Sequence, residues 1–259
     1  MKKGAFRHPN PEIEIHIMPA ATPQIKLEPG QIEEFYHDQF VEDQVRDFQA
    51  LTIARPPAGI VVDIGGGVGH FASALSKQAD TQLRVIDMDP VSVSACREKG
   101  VLAVQGDALE PEIQGDEEIV CFNLILHHLV GRDDSSTRAL QCQALEAWKG
   151  KSREIFVNEY IYQSFLGHVS GKLIYIITSS RLLSKVGRAV SRIIPAFKAN
   201  TFGVGVRFRS HEEWERLFAE LGFTVVDRRR GEAEKIALPL RLLLIKTIRR
   251  DSFLLRAST

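Results

Sequence analysis

Only three cysteines, Cys96, Cys121 and Cys142, occur in the 259 residues. Their number is odd, they lie far apart, and none stands in a metal-ligand spacing. That argues against a disulfide framework and against a structural zinc site, so no metal is expected and a reducing, cytoplasmic setting fits. Cys121 lies in an apolar run and reads as core. No stretch approaches the roughly 18 uninterrupted apolar residues of a membrane span. The most apolar candidate, Leu173 to Ile177, gives way to polar residues after five positions. Met1 to Asn10 lacks the apolar core of a signal peptide. An excess of one charge is missing too, because 33 Lys and Arg balance 33 Asp and Glu. No global field therefore draws the chain to nucleic acid or to an anionic membrane. Internal repeats and low-complexity tracts are absent. What is present, 44% hydrophobic and 25% charged residues, is ordinary for a globular protein, and the length suits one large α/β domain with additions or two small ones.

Residues 1–30 are rich in proline, with a polar–apolar alternation at Glu12 to Ile17 that predicts an edge strand or an arm. A homodimer arm is the alternative. Residues 31–54 have helical spacing, with Ile32, Phe35, Phe40, Val45 and Phe48 on one face and acids on the other, before Pro56-Pro57 ends the helix. From Gly59 to Asn158 short apolar runs alternate with helical stretches. Strands are predicted at Ile60 to Ile64, Leu83 to Ile86, Val101 to Val104, Ile119 to Phe122 and Glu154 to Val157. Pro90 opens one helix at a favourable first-turn position, and residues 134–149 form another that buries Leu140, Ala144 and Trp148. Ser210 and Glu213 form a capping-box pair ahead of Trp214, Leu217, Phe218 and Leu221, and Gly222 stops that helix. Phe223 to Val226 and Leu240 to Ile248 read as two final strands. Such alternation predicts a parallel sheet covered on both faces.

The first strand runs into Asp63-Ile64-Gly65-Gly66-Gly67-Val68-Gly69. Closely spaced glycines between a strand and a helix let the backbone approach a ligand that a Cβ would exclude. A dinucleotide fingerprint, G-x-G-x-x-G, counted from Gly65 puts His70 at its third glycine, where a ring crowds the helix–strand contact. The run Asp63-x-Gly65-x-Gly67-x-Gly69 instead resembles the first motif of class I S-adenosylmethionine-dependent methyltransferases. Val85-Ile86-Asp87-Met88-Asp89-Pro90 is similar to the family's second-strand motif, and Gln105-Gly106-Asp107-Ala108 to its third. Val120 to Leu129 resembles the fourth strand and the loop after it. Val157-Asn158-Glu159 looks like the end of the fifth strand.

The resemblance implies a Rossmann-like α/β fold: a seven-stranded, mostly parallel sheet with helices on both faces and a helical lid. It implies S-adenosylmethionine as cofactor and S-adenosylhomocysteine as product. Asp63, Gly65, Gly67, Gly69, Asp87, Met88, Asp107, Ala108 and Asn123 become the expected cofactor contacts. Asp87 would accept from the ribose hydroxyls, with Asp89 as its alternative, and Asp107 would bind the adenine amino group. A carboxylate suits both tasks because it accepts several hydrogen bonds.

His127, His128 and Glu159 fall at the carboxyl edge of the sheet, where open α/β folds place ligands. A histidine there can take a proton from an acceptor, or simply pack. His128 is in register with the family's more regular histidine. Tyr36, His37, Tyr160 and Arg207 are the expected substrate contacts. The division that follows is an N-terminal arm and helical cap at 1–54, a cofactor-binding core at 55–160, a basic amphipathic lid at 161–209, and a helix and strand hairpin at 210–259 that complete the core. The stretch from Tyr160 to His211 contains no Asp or Glu. Its cations fit a lid paired with the acidic face of residues 33–47, an anionic-substrate site or, third, a basic helix lying on an anionic membrane. Nucleic acid fits poorly, since aromatics are not interleaved with the cations. The expected partner is a small, aromatic or partly apolar metabolite methylated on oxygen or nitrogen. A lipid or protein acceptor, or a silent cofactor-binding module, is the alternative.

Overall fold

Period-two burial along short apolar strands sorts the side chains onto two faces. The computed structural model describes residues 24–25, 40–78, 81–197 and 199–258. The predicted strand at 12–17, and residues 31–39 of the predicted helix, lie outside these. The strands are β1 (Ile60–Ile64), β2 (Leu83–Asp87), β3 (Leu102–Gln105), β4 (Glu117–Asn123), β5 (Glu154–Ser164), β6 (Phe223–Arg230) and β7 (Ile245–Ala257). They form one sheet in the order β3-β2-β1-β4-β5-β7-β6. The first five are parallel, and β7 inserts antiparallel between β5 and β6. The predicted α/β class and seven-stranded, mostly parallel sheet are what the structure contains.

On one face Val61, Ile119, Cys121, Phe156 and Leu254 meet three helices, α1 (Val41–Thr52), α2 (His70–Gln78) and α3 (Pro90–Glu98). On the other, Val62, Val120, Phe122, Val157 and Leu255 meet α4 (Asp134–Glu146) and α7 (His211–Glu220), with Trp148 and Trp214 fully buried. Two further helices, α5 (Val169–Ser179) and α6 (Arg181–Ile193), form the excursion after β5. The capping box at Ser210 and Glu213 is present, and Gly222 turns the chain with φ +71°. Asp89 takes the capping role: its carboxylate accepts from the Val91 and Ser92 amides at the start of α3.

Three expectations need correction. First, β5 does not end at Val157 but continues to Ser164, because Glu159 to Ser164 find ladder partners in β7. Second, Leu240 to Leu243 are not strand but part of a 3-10 turn, Leu238–Leu243, and β7 starts at Ile245. Pro239 lacks the amide a ladder needs. Third, the described acids of α1 do not pair with the basic lid. Asp43 binds Arg250 of β7 at 3.0 Å, and Asp47 binds Arg229 of β6 at 3.0 Å and the Ser252 hydroxyl at 2.9 Å.

Arg84, in β2, is buried to 2% exposure and held by Gln114 at 2.7 Å, Asp116 at 2.9 Å and Glu117 at 2.5 Å. Truncating one member of such a cluster strands charge in the interior. Arg84→Ala is expected to destabilise the fold by about 3–5 kcal/mol, measured by urea unfolding. Arg84→Met, which removes the charge but fills the volume, should cost less.

Candidate active site

The parallel strands β1, β2, β3 and β4 end together, and their carboxyl ends open on a cavity of about 490 Å³. It lies where the sheet order reverses, between β1 and β4, the position at which open α/β sheets bind ligands. Asp63, Gly65, Gly67, Asp87, Met88, Asp107, Ala108 and Asn123 all line it. Gly69, the remaining expected cofactor contact, does not. It closes the turn into α2 with φ +76°, packed beside the Cys96 sulfur.

Two glycines carry the loop. Gly65 has φ +64°, and a Cβ there would collide with the Ile125 side chain. At Gly67, φ is +54° and a Cβ would meet nothing within 4 Å, so this backbone faces open space on the cavity side. The loop is pinned from below. Asp87 Oδ2 accepts the Gly67 amide at 2.9 Å and Oδ1 accepts the Asp89 amide at 2.9 Å. Burial raises the Asp87 pKa above the ordinary carboxylate value, and these amide bonds oppose the rise. Asp107 Oδ1 accepts the Leu109 amide at 2.9 Å, which orients its carboxylate at the β3 end of the cavity.

Asp63 is the unusual member. It is 1% exposed, and its Oδ1 accepts from the Asn123 amide nitrogen at 2.9 Å. Its Oδ2 has no hydrogen-bond partner among the described residues, and neither does Asn123 Oδ1. Burial pushes the Asp63 carboxyl up to about 7, with the Asn123 bond opposing and the Asp87 charge adding to the rise. A buried carboxylate oxygen without a donor is costly unless something else supplies one.

The two histidines separate. His128 lines the cavity, and burial, with His127 adjacent, depresses its pKa well below the usual histidine value, so it is neutral near pH 7. His127 faces the interior, where its Nδ1 lies 2.6 Å from Glu159 Oε2 and its ring sits 4.9 Å from that of Phe208. Glu159 Oε1 accepts the Leu126 amide at 2.7 Å. Glu159 and His127 thus fix the 3-10 turn Leu126–His128 that presents His128, and neither lines the cavity.

Tyr160 is also outside the cavity lining, packed edge-on to Phe40 at 6.0 Å. Arg207 is fully buried and engaged by Asp134 at 2.7 Å, Glu213 at 2.7 Å and the Phe208 carbonyl, so its guanidinium ties α4 to α7 and is not presented to a ligand. Tyr36 and His37 lie outside the described residues.

The structure adds contacts that the sequence did not point to. Phe40 and Gln44, one helical turn apart, overhang the cavity, and the Arg250 guanidinium lies 3.8 Å from the centre of the Phe40 ring. Their i, i+4 spacing was the available signal. Leu124, also in the lining, holds φ +57°, a left-handed conformation rare for a branched residue. No sequence signal marks it.

No family model matches the chain. It is 29% identical over 89 residues to the trans-aconitate 2-methyltransferase of Mycobacterium tuberculosis. That match spans about a third of each chain, 34% of both. Among solved structures, the magnesium protoporphyrin IX methyltransferase of Synechocystis with S-adenosylhomocysteine bound aligns with TM-score 0.54 at 12% identity, covering 91% of this chain and 90% of that one. The cyclase SpnF aligns with TM-score 0.56 at 12% identity, covering 86% and 82%. A Burkholderia thailandensis 1,6-didemethyltoxoflavin N1-methyltransferase aligns with TM-score 0.52 at 12% identity, covering 88% and 82%. With the strand order, the glycine loop and these neighbours together, the chain is built on the fold of the class I S-adenosylmethionine-dependent methyltransferases.

Proposed function

We propose that the protein binds S-adenosylmethionine in this cavity and transfers its methyl group to an oxygen or nitrogen of a small, partly apolar acceptor. The observation that carries the reading is one cavity edged by three carboxylates from successive strand ends, Asp63, Asp87 and Asp107, beside the open backbone of Gly67. The residues present fit the cofactor. The donor-less Asp63 oxygen suits an ammonium group, the Asp87 carboxylate suits vicinal hydroxyls, and Asp107 suits an exocyclic amine. When bound, the cofactor supplies an electrophilic methyl carbon for in-line displacement.

The chain's own work is to orient and to exclude water. Phe40, Ile125 and Leu129 give the acceptor side an apolar wall, and Gln44 and His128 are its polar members. A neutral His128 accepts the proton that an acceptor hydroxyl loses as the new bond forms. His127 and Glu159 act through the turn that holds His128 and do not touch the acceptor themselves.

The cofactor reading is tested by melting curves. S-adenosylhomocysteine should raise the melting temperature while NAD leaves it unchanged; the reverse would return the site to a dinucleotide. His128→Ala should lower turnover by about a hundredfold, in the range of a lost general base, while S-adenosylhomocysteine affinity stays within twofold. Equal turnover removes His128 from the chemistry. SpnF is a cyclase on the same fold, so cofactor binding without methyl transfer to any acceptor would favour a binding role.

A further inference from the structure

Helix α6 meets the rest of the protein through its small residues. Ser184 is fully buried, and its hydroxyl donates to the Ile177 and Thr178 carbonyls at 2.9 Å each. A Cβ at Gly187 would lie 2.5 Å from the Phe202 ring, so the helix seats closely there. Ser191 and Ile194, next along the same stripe, are half-buried. Three of its larger apolar side chains point away. Leu182 is 71% exposed, Val186 53% and Ile193 83%. One edge of this apolar face carries Arg181, Lys185 and Arg192, none of which forms an ion pair among the described residues, and Arg188, whose guanidinium donates back to the Phe202 carbonyl at 3.0 Å. Nearby, the 3-10 turn Leu238–Leu243 packs against α5 and against the turn that follows α6, and leaves Leu238 and Leu242 exposed.

An amphipathic helix of a globular protein normally buries its apolar stripe. Here it is turned outward with a row of cations beside it. We propose that α6 docks the protein on an anionic phospholipid surface, with Leu182, Val186 and Ile193 entering the acyl boundary and Arg181, Lys185 and Arg192 meeting the headgroups. Apolar area and basic charge on one helix are the two attractions that hold such a helix in the interfacial plane. The charge pattern selects a membrane over a second copy of the chain. A twofold contact through this face would bring the same cations together, and the surrounding stretch from Tyr160 to His211 offers no acid to neutralise them. The surface lies outside the cavity lining, and the inference does not rest on the proposed reaction.

The test is flotation of the full chain with phosphatidylcholine vesicles, with and without an equal part of phosphatidylglycerol, in the absence of any cofactor. The protein should float with the anionic vesicles, weakly or not at all with the neutral ones, and be released by high salt. Removing one cation, as in Lys185→Gln or Arg192→Gln, should weaken binding by about fivefold each. The triple variant Leu182→Ser, Val186→Ser, Ile193→Ser should lose at least about tenfold while its melting temperature holds, because all three side chains already face solvent. The proposal is overturned if the wild type does not float, or if the triple variant floats equally. It is also overturned if sedimentation shows a wild-type dimer that the triple variant dissociates without any vesicle binding.

Discussion

Asp87→Ala is expected to abolish the rise in melting temperature given by S-adenosylhomocysteine. Its carboxylate has two structural duties, one at each oxygen: it fixes the Gly67 amide and the Asp89 amide. Removing it leaves both amides without that acceptor and frees the loop that must face the cofactor. It also deletes the acceptor proposed for the ribose hydroxyls, a charge-assisted contact. Together these should weaken binding by about 3 kcal/mol or more, about a hundredfold in Kd. Asp87→Asn can still accept one amide bond, so it should fall between the two. Titration calorimetry on all three proteins checks the order. An unchanged Kd in the alanine variant takes Asp87 out of the site.

The second large effect is a pH dependence set by Asp63. Its folded value is about 7, against 3.8 for an unperturbed aspartate. Between those limits the folded protein holds a proton that the unfolded chain has released. The stability this group contributes is therefore fully present below its unfolded value and lost as pH rises to about 7. The loss amounts to about 4 kcal/mol for a shift of this size. Asp63→Asn removes the slope, so the variant should gain stability over the wild type across that window and hold the gain above it. Ligand binding runs the other way. An ammonium beside Asp63 favours the carboxylate, so binding expels the proton. S-adenosylhomocysteine affinity should then rise with pH up to about 7, approaching tenfold per unit, and level off above it. Asp63→Asn should flatten that profile and weaken binding throughout. Parallel wild-type and variant curves would sink the assignment.

These expectations depend on residues whose types and order were legible in the chain. The glycine loop, Asp87, Asp107 and the five apolar strand runs are local signals, because each follows from spacing within a few residues. The capping box at Ser210 is local in the same way. What could not be read is long-range. Glu159 to Ser164 do not form an apolar run, and they become strand only because β7 pairs with them some ninety residues later in the chain. Asp43 and Asp47 looked like partners for the basic segment, yet Arg250 and Arg229 reach them first through the sheet. Arg207 had the chemistry of a substrate ligand, and only the fold shows Asp134 and Glu213 already holding it. Helical spacing marked α6 as amphipathic, but spacing does not say which face meets the protein.

The position of β7 has a consequence for how the protein is made. The strand that follows every other in sequence lies inside the sheet, between β5 and β6. Until residues 245–257 have left the ribosome, the eleven-residue β5 lacks the partner on its β7 side, and β6 has no neighbour among the described residues. Exposed edges recruit other strands, and pairings this distant in sequence close slowly. The cofactor-side strands can therefore pair before the far edge of the sheet, which closes only when β7 inserts.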